Sequence, residues 1–184
     1  ARNLVTPLLP ETSQEQKVHL VVDLGKLLLS QGITAICDMG NLDPTDNYDI
    51  YTQAVEKGLK QAVGIYYMWD FYADNPDFQI QEDRFNRNNQ VFVAGLKLIG
   101  DGSVSGRTAW MNEPYLDSDV CGFPVCSDEL MESAIAFCKK NHCQLSMHAM
   151  GGHAIDRIVD RIYPEEKWTE GGVPHLRMEH WTEP

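Results

Sequence analysis

The 184 residues are 43% hydrophobic, enough for one domain with a real core, yet short of the roughly 250 residues that a complete (β/α)8 barrel usually needs. Fifteen Lys and Arg against 27 Asp and Glu give a formal net charge of −12. With no local basic patch to offset that charge, a nucleic-acid backbone or an anionic membrane surface would be repelled, and neither is expected as a partner.

Taken in chain order, Thr12-Ser13-Gln14-Glu15-Gln16 is a capping signal, and Val18, Val21, Val22, Leu24, Gly25 and Leu28 follow at helical spacing until about Gln31-Gly32. Ile33 to Asp38 is short, β-branched and apolar without polar alternation, the pattern of a strand buried on both faces. A helix is predicted over roughly Asp49–Lys57, then a second buried strand over Ala62–Trp69. Gln79–Asn88 is polar with helical character and precedes a strand over Val91–Ile99, a turn at Gly100-Asp101-Gly102-Ser103 and a long loop to about Cys126. Ser127 caps a helix running through Phe137 to Lys140, whose exit delivers the strand Cys143–His148. A helix near His153–Arg161, a Gly171-Gly172 turn and a last strand, Leu176–Glu179, lead to His180. Strands alternating with helices predict βα units with right-handed crossovers in a parallel sheet, which a doubly wound sheet and a barrel satisfy equally. No repeat, low-complexity tract or composition shift divides residues 1–184 into separate domains.

Cys37, Cys121, Cys126, Cys138 and Cys143 are an odd number in a chain too large to need staples, which fits reduced thiols and a cytoplasmic location. Two Cys-x4-Cys spacings are loose for zinc, and the thiols read as buried or loop residues. No run approaches the ~18 apolar residues of a membrane span, and no basic-then-apolar stretch opens the chain.

In parallel α/β folds the chemistry sits where strands end, because the loops there face one surface. Lys97 lies near the end of one predicted strand, His148 closes the next and His180 the one after, so the three are expected to converge above the sheet. Alternation puts Gln144, Ser146 and His148 on one face of their strand, and the inside of a barrel mouth offers such a polar face its partners. Each residue also has a plainer reading. A strand-end His is commonly a hydrogen-bonded structural residue, and a strand Lys can snorkel to the rim. The other course for a buried Lys97 is to lose its proton and capture carbon dioxide as a metal-binding carbamate.

Gly95-Leu96-Lys97-Leu98-Ile99-Gly100-Asp101-Gly102-Ser103, with Arg107-Thr108-Ala109 and Glu113-Pro114-Tyr115 behind it, resembles the signature of the amidohydrolase 3 family, which includes N-substituted formamide deformylases. Met147-His148-Ala149-Met150-Gly151 is similar to that family's fifth-strand motif, Arg177-Met178-Glu179-His180 to its sixth, and Gly32 to Gly40 to an earlier strand. The resemblance implies a TIM-type barrel, a carbamylated Lys97 bridging two divalent metal ions, and His148 and His180 as ligands of one of them. It also implies hydrolysis of a non-peptide carbon–nitrogen bond in a small-molecule substrate. Zinc is the first choice of metal, although iron and manganese suit the same ligands. A divalent metal acidifies water and polarises a carbonyl, and a two-metal pair needs an anionic bridge such as a lysine carbamate. Asp101, Arg107 and Trp110 are the candidate substrate contacts. Tyr66, Tyr67, Trp69, Phe71 and Tyr72 either line the same pocket or brace the core.

The chain departs from the family at two places. Gly151-Gly152 stands where the family has a Gly-Asp step, and no two of the six histidines have the His-x-His spacing of the family's first strand. The eighth-strand aspartate is likewise missing, so the catalytic residues stay unassigned. The expected architecture is therefore a partial (β/α) barrel, roughly strands two through six of an internal fragment. Such a piece should be inactive when isolated, bind metal weakly or not at all, and self-associate through exposed sheet edges. The competing class is a noncatalytic binding or regulatory module that keeps the barrel strands. A nucleotide-binding domain is disfavoured, since no Gly-x-Gly-x-x-Gly turn or Walker loop follows any strand.

Overall fold

The computed structural model describes residues 8, 10, 12–41 and 44–182. The first helix, α1 (Gln14–Ser30), starts at a complete capping box: the Ser13 side chain accepts from the Gln16 amide, and the Gln16 side chain accepts from the Ser13 amide. There follow β1 (Ala35–Asp38), α2 (Tyr48–Glu56), β2 (Ala62–Met68), β3 (Val91–Ile99), α3 (Asp128–Lys140), β4 (Gln144–Ala149), α4 (Gly152–Ile162) and β5 (Leu176–His180). All neighbouring pairs are parallel, and the spatial order β1-β2-β3-β4-β5 is the sequence order.

That order excludes a doubly wound sheet, whose strand order reverses at a switch point. The sheet curls instead. In a flat sheet β1 and β5 would lie four strand spacings apart, about 19 Å, but the Arg177 Nη1 of β5 is 3.4 Å from the Cys37 Sγ of β1. Five strands bent far enough for one arginine to span the lumen form a partial TIM-type barrel.

The barrel's two faces differ as this architecture demands. Leu96, Leu98, Leu145, Met147 and Ala149 point outward and are buried with Met131, Ala134, Ile135 and Cys138 of α3 and Ala154, Ile155, Ile158 and Ile162 of α4. The register Lys97↔Ser146↔Arg177, with His148↔Glu179 beyond it, puts the polar residues on the inward face. Ser127 caps α3 by accepting from the Leu130 amide at 3.1 Å. Ser127→Ala is expected to cost about 1 kcal/mol in denaturant unfolding, and a variant as stable as wild type would show that this cap is idle.

Two sequence expectations need correction. The run ending at Asp38 is not buried on both faces, since Ala35 and Cys37 are exposed and Ile36 and Asp38 half-buried. β1 is an edge strand with a neighbour on one side only, and apolar composition cannot supply the missing cover. Gln79–Asn88 forms only a 3-10 turn, Glu82–Phe85. The Asn86 side chain takes the Asn88 amide at 3.0 Å, an alternative to helix that asparagine offers its own backbone. Among the described residues, no helix is long and apolar enough to cross a membrane, and all five cysteines are free thiols, three of them buried.

Candidate metal centre

β3 carries Lys97 inward between Met68 of β2 and Ser146 of β4, with only 4% of its surface exposed. Burial disfavours the ammonium and pushes the amine down to about 8; Glu179 resists that shift and Arg177 adds to it. His148, the penultimate residue of β4, and His180, the last of β5, bring their rings to a centroid separation of 4.5 Å at 68°. Burial pulls His180 below the ordinary imidazole range, helped by the nearby His148 and Lys97, while Glu179 and Asp101 oppose. Both causes disfavour the protonated ring and so favour the neutral form that ligates metal. The two imidazoles meet, and Lys97 shares their inward face one strand over, paired with Ser146 two residues before His148.

His180 reaches its place by breaking alternation. Because His148 is in register with Glu179, the next residue of a regular strand would face away. His180 instead has φ +79° and Trp181 φ +47°. A non-glycine residue in this region costs about 1–3 kcal/mol, and such strain clusters at functional sites. Here it accompanies the turn of the His180 ring onto His148.

The surroundings orient these groups. His148 Nε2 lies 2.6 Å from the Gly102 carbonyl oxygen, which can only accept, so Nε2 carries a proton and the neutral ring that fits this contact has its lone pair on Nδ1. Ser146 donates to Glu179 Oε1 at 3.2 Å, and Glu179 pairs with Arg177. Tyr66, its phenol kept protonated by burial, donates to Gln144, whose amide donates to the Pro174 carbonyl at 2.8 Å. Glu179 and Arg177 escaped sequence reasoning as members of the site, whereas Tyr66 was among the aromatics expected at the pocket. Alternation along Arg177-Met178-Glu179 was the available signal, since it places both charged residues on one face.

The three candidate substrate contacts are scattered. Asp101 is fully buried beside His148, its carboxylate occupied by backbone amides. Arg107 is exposed at φ +54°. Trp110 stacks on His153 of α4 at 4.0 Å. Of the five aromatics at the end of β2 and just after it, Tyr67, Trp69 and Tyr72 pack with Phe78, and Trp69 also packs on Phe137 of α3, so these brace the loop. Phe71 is exposed and Tyr66 alone of the five turns to the polar lumen.

Among the described residues, no group of three or more His, Cys, Asp or Glu side chains is placed to hold a metal ion. The donors present are two imidazoles and one amine whose proton is held loosely. That set fits part of a metal site if Lys97 contributes an anionic carbamate.

Residues 1–182 match the model of the Amidohydrolase family. The chain belongs to the amidohydrolase family. This amidohydrolase-family chain is 25% identical over 170 residues to the protein LONG AFTER FAR-RED 3 of Arabidopsis thaliana, covering 87% of the chain and 29% of the relative. Its fold is similar to that of an uncharacterized metal-dependent hydrolase from Pyrococcus furiosus, with a TM-score of 0.64 and 21% identity over 89% of the chain and 34% of the hydrolase. A second uncharacterized metal-dependent hydrolase, from Pyrococcus horikoshii, gives a TM-score of 0.61 and 22% identity, covering 89% and 33%. The amidohydrolase-family chain thus spans between 29% and 34% of the lengths of these proteins.

Proposed function

We propose that this chain is part of the catalytic domain of a metal-dependent hydrolase that cleaves a non-peptide carbon–nitrogen bond in a small amide- or formamide-like molecule. The observation that carries the reading is the meeting of Lys97, His148 and His180 from three consecutive strands, with the amine already biased toward its neutral form. Family membership and the metal-dependent hydrolases of similar fold support it.

The Lys97 ammonium first gives up one proton; the neutral amine then forms a nitrogen–carbon bond to carbon dioxide and releases a second, leaving an anionic carbamate in place of a buried ammonium. That carbamate, His148 Nδ1 and His180 would hold a divalent metal, zinc first among the candidates. A metal so held supplies Lewis-acid polarisation of the scissile carbonyl and lowers the pKa of water toward neutrality. Ser146 and Arg177 hold Glu179 in place, and the resulting charge pattern keeps the site from being uniformly cationic. Free thiols suit a reducing cytoplasm, and the uncovered edges of β1 and β5 suit self-association.

A second reading, a noncatalytic module on the same strands, is favoured by the lack of any three-residue His, Cys, Asp or Glu cluster among the described residues. Zinc retention separates the two. After equilibrium dialysis against zinc and bicarbonate in large excess, enough to fill a site with the weak affinity expected of a partial ligand set, the chain should hold chelator-removable zinc and carry one added carbon dioxide at Lys97 by mass spectrometry. Both signals should be lost in His148→Ala and His180→Ala. Zinc content unchanged by the two substitutions would overturn the assignment. Chelator-sensitive hydrolysis of an N-substituted formamide by the chain alone would refute the expectation that this piece is silent.

A further inference from the structure

We infer that Asp101 is a positioning residue whose buried carboxylate clamps the loop after β3 to the loop after β4 and so fixes the orientation and tautomer of His148. Its functional meaning rests on the metal-centre reading above; its geometry does not. Asp101 has no exposed surface. Its Oδ2 accepts from the Trp110 amide at 2.9 Å and the Gly151 amide at 2.8 Å, and its Oδ1 accepts from the Met150 amide at 3.0 Å. The fourth neighbour is His148 Nε2, 3.4 Å from Oδ1. Three backbone amides thus occupy a carboxylate with no exposed surface, an arrangement that serves the two loops rather than a substrate, the role expected of Asp101.

The consequence for His148 follows from where the proton sits. Nε2–H donates to the Gly102 carbonyl, one residue from Asp101, and lies beside the Asp101 carboxylate. Both acceptors favour the proton on Nε2, and both belong to the turn that Asp101 anchors. The turn is also tightly seated. A Cβ at Gly102 would fall 2.1 Å from Thr108 Oγ1, and one at Gly151 would fall 2.2 Å from the Trp110 carbonyl oxygen. A few buried bonds at Asp101 therefore tie two loops of the active face into one body around one imidazole. Outer partners of metal-ligating histidines act in this way, setting tautomer and ring orientation.

Asp101→Asn keeps the shape and removes this function. Whichever oxygen becomes an amide nitrogen faces a donor it cannot accept from, either the Trp110 and Gly151 amides or the Met150 amide. The test is nitrogen NMR of the His148 ring in the metal-free chain at pH 8.5, with hydrogen exchange at Trp110, Met150 and Gly151. Wild type should show Nε2 protonated, Nδ1 unprotonated and the three amides protected. In Asp101→Asn the two ring nitrogens should move toward an averaged position and zinc affinity should fall by roughly 10–100-fold. Tyr115→Phe, which cuts a different tie in the same loop, from Tyr115 to the Ala109 carbonyl, should leave the ring spectrum at wild type. A His148 ring unchanged in Asp101→Asn would overturn the inference. So would Nδ1 protonation or unprotected amides in wild type, which decide the matter even if the variant does not fold. Absence of zinc binding by wild type even at large excess of zinc and bicarbonate would instead sink the metal-centre reading and leave the ring result standing.

Discussion

Replacing Lys97 by methionine is expected to stabilise the chain at neutral pH, and the advantage should shrink by about 3 kcal/mol as pH rises past 10, at about 1.36 kcal/mol per pKa unit. The amine titrates at about 8 when folded, against 10.5 for a free lysine. Below pH 8 both folded and unfolded chains hold the proton, so the cost of burying an ammonium is felt in full. Between pH 8 and 10.5 the unfolded chain binds a proton that the folded chain lacks, so wild-type stability climbs with pH until the cost is gone. Methionine has a similar shape and no charge, and Glu179 keeps Arg177 as its partner. Urea unfolding of both proteins at pH 7 and 10.5, with chelator and without carbon dioxide, measures the effect. A stability difference that does not change with pH would mean that Lys97 is solvated and has no reason to become a carbamate. Zinc and bicarbonate should reverse the sign at neutral pH, because the ammonium is then replaced by an anion with a partner.

Much of the scaffold is legible in the sequence because its signals are local. The Ser13 and Ser127 caps, the apolar spacing of α1 and the strand over Val91–Ile99 each depend on residues a few positions apart. The exposure of β1 depends instead on which strands lie beside it, and no local pattern carries that information. Gln79–Asn88 misled because polar residues with helical propensity also sit comfortably in a 3-10 turn, and side chains such as Asn86 decide between the two.

The site divides along the same line. Lys97, His148 and His180 are visible because strand ends in a parallel sheet share one surface. The roles of their neighbours depend on register. Glu179 meets Ser146 and lies near Lys97 only because β5 pairs with β4 one way and not another. Asp101 stands in a motif suggestive of substrate contact, yet its partners, Trp110, Met150 and Gly151, come from two distant loops. His180 is the sharpest case, since alternation turns it away and only the left-handed backbone brings its ring to His148.

Register itself hangs on one missing side chain, and Gly95→Ala is expected to abolish folding or cost well over the ~1–3 kcal/mol of ordinary overpacking. A Cβ at Gly95 would stand 1.7 Å from the Gln144 carbonyl oxygen, 2.6 Å from its carbon and 2.9 Å from its nitrogen. All three atoms are backbone, so no rotamer change can relieve the clash. β3 lies between β2, where the register slips between Ile65 and Tyr66, and β4, whose pairing with β3 begins at Gly95 and Gln144. Pushing the strands apart there loosens every later pair, including Lys97 with Ser146 and Ile99 with His148. With total stability of about 5–15 kcal/mol for a domain, losing that ladder leaves little margin. Gly172→Ala is the matched control, since nothing lies within 4 Å of its added Cβ, and its unfolding midpoint should stay within about 0.5 kcal/mol of wild type. Circular dichroism with denaturant titration reads both. A Gly95→Ala chain as stable as the control would show that β3 and β4 are not held at this spacing, and the convergence of Lys97 and His148 would lose its structural basis.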